Sequence, residues 1–121
     1  MSTFDPWNYR EESGYAQGTD IVGYKIAAVD GDIGKVDKAT DEVGSASIVV
    51  DTGPWILGRK VLLPAGVVQR VDADEEKIYV DRTKDQIKDS PEYDPDVADY
   101  DEQEYRDRLG NYYGDYYKRG M

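Results

Sequence analysis

The stretch Gly23-Tyr24-Lys25-Ile26-Ala27-Ala28-Val29-Asp30-Gly31-Asp32-Ile33-Gly34-Lys35-Val36 decides the fold class. Tyr24, Ile26 and Ala28 recur at a period of two, the spacing of one face of a strand. Asp30-Gly31 follows at once and is the strongest short hairpin signal, because both residues tolerate the positive φ of a tight turn. A second strand, Ile33 to Lys38, is therefore expected to pair back on the first. Ile33 and Val36 have opposite parity, so Gly34 between them reads as a bulge that turns both side chains inward.

The same pattern continues to Arg82. After the turn Asp41-Glu42-Val43-Gly44, the alternation of Ala46, Ile48 and Val50 predicts a third strand, central in the sheet because its outer positions are also partly apolar. Asp51-Thr52-Gly53-Pro54 breaks the chain, and Trp55-Ile56-Leu57-Gly58 leads into a fourth strand, Arg59 to Leu63, closed by Pro64. Val67 to Asp72 forms a fifth, and the acidic turn Ala73-Asp74-Glu75-Glu76 leads to a sixth, Lys77 to Asp81. The fold class is all-β, a small closed or partly open barrel of six short strands, since rolling the sheet protects its edges. Thr83-Lys84-Asp85-Gln86 fits a capping box, which starts a short helix that ends by Asp89 or Ser90, ahead of Pro91.

The 121 residues carry 15 basic and 26 acidic side chains, a net charge of -11. Residues 1–20 contribute -3, residues 21–88 contribute -2 and residues 89–121 contribute -6. A nearly balanced middle between acidic ends reads as an N-terminal tail (1–20), a folded domain (21–92) and an acidic, tyrosine-rich extension (93–121). No apolar run approaches the roughly 20 residues of a membrane-spanning helix, and Met1 to Arg10 lacks the pattern of a secretory signal, so a cytoplasmic protein is expected. The absence of cysteine and histidine excludes disulfides, thiolate nucleophiles, Cys/His zinc sites and imidazole acid–base chemistry.

Two ordered segments carry a family resemblance. Asp30-Gly31-Asp32-Ile33-Gly34-Lys35-Val36-Asp37 with Val49-Val50-Asp51-Thr52-Gly53-Pro54-Trp55 forms the first. Gly58-Arg59-Lys60-Val61-Leu62-Leu63-Pro64 with the ending from Val80 to Tyr93, including Thr83-Lys84-Asp85-Gln86-Ile87-Lys88, forms the second. Over residues 21–93 this set resembles the PRC-barrel family in its stand-alone bacterial form. The resemblance implies a small β-barrel related to the cytoplasmic domain of the photosynthetic reaction centre H subunit and to the C-terminal domain of the ribosome maturation factor RimM. Those relatives are binding modules, so it also implies a non-enzymatic protein-binding adaptor without a cofactor. It brings no catalytic motif to transfer, and fold analogy stops at fold and interaction.

Several residues invite a functional reading. Trp55, Ile56 and Leu57, after a Gly-Pro turn, either anchor a partner or plug one end of the barrel. Arg59, Lys60 and Arg70 are the candidate RNA contacts of a second reading, a ribosome-maturation or RNA-processing accessory, although the charge balance disfavours direct nucleic-acid binding. Asp72, Asp74, Glu75 and Glu76 lack the ligand spacing of a calcium loop and read as a solvated turn; a carboxylate enzyme using Asp72 and Glu75 would need a raised carboxyl pKa. Gly31, Gly34 and Gly44 do not form a phosphate-binding fingerprint.

Nine of the eleven tyrosines lie outside the predicted strands. Tyr112, Tyr113, Tyr116 and Tyr117 are candidate protein contacts, since tyrosine offers large contact area with a polar tip. Val97, Tyr100, Tyr105, Leu109 and Tyr112 come close to one helical face, which predicts a helix over 97–109 ending at Gly110. That segment either folds back on the barrel or is a disordered arm that folds on a partner. Phe4-Asp5-Pro6-Trp7-Asn8-Tyr9 is expected to cover a barrel edge or join the C-terminal segment. The expected partner is a protein, with self-association or peripheral membrane association through a partner as further expectations.

Overall fold

A computed structural model describes residues 5–42, 44–53, 60–91 and 102–119, with side chains of the last helix described over 103–114. The strands are β1 (Lys25–Ala28), β2 (Gly31–Thr40), β3 (Ser47–Asp51), β4 (Lys60–Pro64), β5 (Val68–Asp72) and β6 (Lys77–Val80), followed by helices α1 (Lys84–Lys88) and α2 (Glu102–Arg119). They form one six-stranded sheet in the order β4-β3-β2-β1-β6-β5. The sheet is mixed, because β1 and β6 run parallel while every other neighbouring pair is antiparallel.

The long strand β2 organises the sheet. Residues 31–35 pair with β1, and residues 35–40 pair with β3. The sheet therefore has two halves sharing one strand: β5-β6-β1 on one side and β3-β4 on the other. At the junction the β1–β2 register skips Ile33, so that Ile26 faces Gly34 and Ala27 faces Asp32. The bulge turns both Ile33 and Val36 into the core, as their parity requires. Gly34 has φ 145°, and a Cβ there would lie 2.1 Å from the Asp51 carbonyl oxygen, so this crossing of strands admits no side chain.

The sheet curls but is not closed. Edge strands β4 and β5 are linked only by a 3₁₀ turn, Ala65–Val67. Three residues span at most about 11 Å, whereas the edges of a flat sheet of this width would stand about 24 Å apart. Among the described residues no ladder joins β4 to β5; the N-terminal segment occupies their corner instead. The Gly66 N–H donates to the Pro6 carbonyl at 2.9 Å, the Ala46 N–H donates to the Trp7 carbonyl at 3.0 Å, and Arg10 Nε donates to the Gly66 carbonyl at 2.9 Å. Residues 5–10 thus fill the corner at the β4–β5 turn, and Trp7 meets Arg106 of α2 at 4.4 Å, so of the two expectations the segment joins the C-terminal helix.

Helix α1 begins with the expected capping box: Gln86 N–H donates to Thr83 Oγ1 and Thr83 N–H donates to Gln86 Oε1. Ile87 is fully buried and Ser90 ends the segment by donating to the Ile87 carbonyl. Helix α2 differs from expectation. It runs through Gly110 to Arg119, while residues 97–101 lie outside the described residues. A glycine inside a helix costs about 1 kcal/mol, and burial of Tyr113 one turn further on offsets that. Gly110 faces the N-terminal segment, where a Cβ would sit 3.3 Å from Trp7 Nε1 and 3.4 Å from Pro6 Cγ.

The core joins both halves of the sheet with both terminal segments. Ile26, Ile48, Val50, Leu63, Val68 and Ile78 pack with Ile87, and Tyr105, Leu109 and Tyr113 of α2 enter the same cluster. Tyr105, Leu109 and Tyr113 are spaced by four, one face of a helix. The segment over 103–114 is therefore folded back on the sheet. Polar contacts fix it there: Tyr105 Oη donates to the Pro91 carbonyl, Arg106 to the Ser45 carbonyl, Tyr112 Oη to the Gln86 carbonyl and buried Arg82 to the Tyr113 carbonyl.

Candidate protein-binding face

The two halves of the sheet are covered differently. In β3 and β4 the outward pair Val49–Leu62 is buried along with the inward residues. In β5, β6 and β1 the inward residues Val68, Ile78, Val80, Ile26 and Ala28 are buried, and the outer face carries Arg70, Asp72, Lys77, Tyr79 and Lys25 around one small buried residue, Ala27. Asp32 and Lys35 of β2 extend this face.

Register places three lysines side by side. Lys25 of β1 lies opposite Lys35 of β2 on one side and opposite Lys77 of β6 on the other. Residues directly opposite in a ladder point to the same face, so the three form a row across neighbouring strands. The row ends in carboxylates: Asp51 lies opposite Lys35 and Asp72 opposite Lys77. Tyr79 stands beside it, with the Arg70 guanidinium 5.0 Å and the Lys77 ammonium 5.4 Å from its ring centre. Lys77 pairs with Asp32 at 3.6 Å, and Arg70 with Asp72 at 2.8 Å. Lys25 and Lys35 are exposed and have no ion pair among the described residues. A depression of about 330 Å³ lined by Asp32, Ile33, Gly34, Lys35, Asp51, Thr52 and Gly53 adjoins Lys35.

No family model matches the chain, and no curated protein matches it.

The residues singled out in the sequence fall in different places. Trp55, Ile56, Leu57 and Arg59 lie outside the described residues, as do the side chains of Tyr116 and Tyr117. Tyr113 is fully buried and Tyr112 half-buried, their rings meeting edge to face at 5.1 Å. Lys60 and Arg70 stand on the two opposite edge strands. Lys60 pairs with Asp37 at 2.9 Å, so the fold does not gather these two into one basic cluster. The Asp72 carboxyl is held below its ordinary range, first by the Glu75 amide and then by Arg70, the reverse of what a general acid requires.

Lys25, Lys35 and Lys77 escaped sequence reasoning because they come from three separate strands. Each occupies an outward position of an alternating strand, which is the available signal. The hairpin brings Lys25 beside Lys35, but Lys77 joins them only through the parallel β1–β6 pairing, and nothing local encodes that.

A second polar cluster ties the N-terminal segment down. Tyr9 and Tyr15 stack with ring centres 3.9 Å apart, and Tyr15 Oη donates to Asp41 Oδ2 at 2.8 Å. Asp41 also accepts from the Gly18 N–H at 2.7 Å, and these bonds, the backbone one first, lower its pKa. Burial, with the Asp41 carboxylate close by, pushes the Tyr15 phenol up to about 12 and raises that of Tyr9 further. The Tyr9 hydroxyl is buried and has no hydrogen-bond partner among the described residues.

Proposed function

We propose that this chain is a non-enzymatic protein-binding module of PRC-barrel type, acting as an adaptor through the outer face of β2-β1-β6-β5. The observation that carries the reading is the contrast between that open face, with its cationic row and half-buried tyrosine, and the β3–β4 half, whose outward pair Val49–Leu62 is buried. Aromatic residues flanked by long basic side chains suit protein contacts. The ordered PRC-barrel-like motifs support the family assignment, and a curled six-stranded sheet with a capped helix after its last strand is compatible with it. Tyr112 and Tyr113 serve the fold in this reading, so recognition moves from the extension to the sheet. A membrane-associated assembly remains the proposed setting.

The test is site-specific photocrosslinking in cells, with a benzophenone side chain at Tyr79 and, as control, at exposed Asn111 of α2. A discrete protein adduct from position 79 and none from position 111 is the expected result. Adducts that vanish on nuclease treatment would replace the adaptor with the RNA-linked accessory, and no adduct at position 79 would remove the face as a binding site.

A further inference from the structure

We infer that the Lys35–Lys25–Lys77 row receives a short acidic segment of a protein partner, an inference that rests on the protein-binding reading above and names its ligand class. Like charges placed directly opposite across strands destabilise a sheet, and here three ammonium groups stand on adjacent strands of a chain whose net charge is -11. A carboxylate-bearing ligand relieves that repulsion. Asp32, which already engages Lys77 at 3.6 Å, shows the pairing the row accepts. Lys25 and Lys35 remain to pair with carboxylates from outside.

The dimensions select the ligand. Neighbouring strands lie about 4.8 Å apart, so the row is about 10 Å long. Asp51 and Asp72 end it on both sides, Asp72 paired with Arg70 at 2.8 Å and Asp51 repelling an anion that continues past it. Two or three carboxylates on a short peptide fit between these limits. A long phosphate backbone would run onto the flanking carboxylates and into the field of a strongly acidic molecule. Tyr79, beside Lys77, offers a ring edge to the peptide's apolar atoms.

The experiment is a titration of the full ¹⁵N-labelled chain with octaglutamate peptide at low salt, followed by amide chemical shifts, with an eight-nucleotide oligothymidylate as the comparison probe. Octaglutamate is expected to shift the amides of residues 25, 35, 77 and 79 selectively, and the shifts fade on raising salt as the charges are screened. The double variant Lys25→Glu/Lys35→Glu, whose dispersed spectrum reports that it is folded, is expected to bind about tenfold more weakly because two attractions become repulsions. Absence of shifts, shifts confined to other surfaces, or unchanged binding by the double variant would overturn the inference. Equal binding of the oligonucleotide would also overturn it, making the row an unselective anion site. If the crosslink at position 79 captures a protein while octaglutamate fails to bind, the acidic ligand class falls and the binding face stands; if both fail, both fall.

Discussion

The β3–β4 half of the sheet is buried on both faces, whereas the outer face of the β5-β6-β1 half is exposed or half-buried everywhere but at Ala27. Strand composition matches: Ile48-Val49-Val50 and Val61-Leu62-Leu63 are continuous apolar runs, while Lys77-Ile78-Tyr79-Val80 alternates. A continuous run needs cover on its second face, and an alternating one leaves that face available. Tyr105, Leu109 and Tyr113 from the acidic, tyrosine-rich extension belong to the core, with Trp7, Tyr9 and Tyr15 packed against it, and the balanced middle supplies the open surface. High local charge alone therefore does not identify a solvated tail when apolar residues four apart run through it.

The largest break in that comparison is expected from Leu109→Ala, which empties a fully buried site between α2 and the sheet. A loss of about 3 kcal/mol is expected, as for other buried leucines, read as a lower denaturation midpoint in urea. An unchanged midpoint would mean that α2 adds nothing to the core. Next comes Gly34→Ala. The added methyl would overlap the Asp51 carbonyl at the strand crossing, and a positive φ adds strain. About 2 kcal/mol is expected from overpacking and backbone strain together, with local amide shifts along β2 and β3. Wild-type stability would show that the two halves of the sheet do not depend on this close approach.

Much of this architecture was legible in the sequence, and the reason is local. Strand periods, the β1–β2 hairpin, the Gly34 bulge and the Thr83 capping box are each encoded within a few residues, although the hairpin loop is Val29-Asp30, one residue ahead of the expected Asp30-Gly31, because Gly31 already pairs with Ala28. The parallel β1–β6 pairing, the open corner at Gly66 and the lysine row depend on contacts between distant segments, which no short pattern specifies. Gly110 illustrates the limit. It reads as a helix stop on propensity, yet the helix continues because Tyr113 is buried beyond it and because Pro6 and Trp7 pack against the space a side chain would fill. The candidate site was legible only as outward lysines and Arg70 on separate strands, and the tyrosine signal pointed to the covering helix instead.

Tyr9 sharpens the comparison from the covered side. Replacing Tyr9 with Phe keeps the stack on Tyr15 and removes a buried hydroxyl that has no partner among the described residues. A gain of about 1 kcal/mol is expected, measurable as a higher urea midpoint; a loss would show that the hydroxyl is satisfied in solution. The sign in alkali follows from the raised phenols. An ordinary tyrosine ionises near 10.0, whereas folded Tyr15 does so near 12. The unfolded chain therefore releases its protons first, and the associated stability is complete below pH 10, then falls as pH rises through the folded value. Tyr9→Phe should diminish this alkaline loss, followed by circular dichroism across the same range. At the acid end the lowered Asp41 pKa works in reverse: its contribution is present above the ordinary carboxylate range and disappears as pH falls below it.

The smallest effect belongs to the open face. Lys25→Glu removes one member of a like-charged row and places a carboxylate between Lys35 and Lys77, its direct cross-strand neighbours. Opposite charges at such positions are favourable, but these side chains are exposed and partly screened. The change in stability is therefore expected to stay within about 0.5 kcal/mol, and its direction is toward greater stability. A clear loss in the urea midpoint would mean that Lys25 is held by packing the fold requires, and the outer face would then resemble the β3–β4 half. A small gain alongside weaker binding of the acidic peptide would separate the two roles: the covered half of the sheet maintains the fold, while the open half carries charge at some expense to stability.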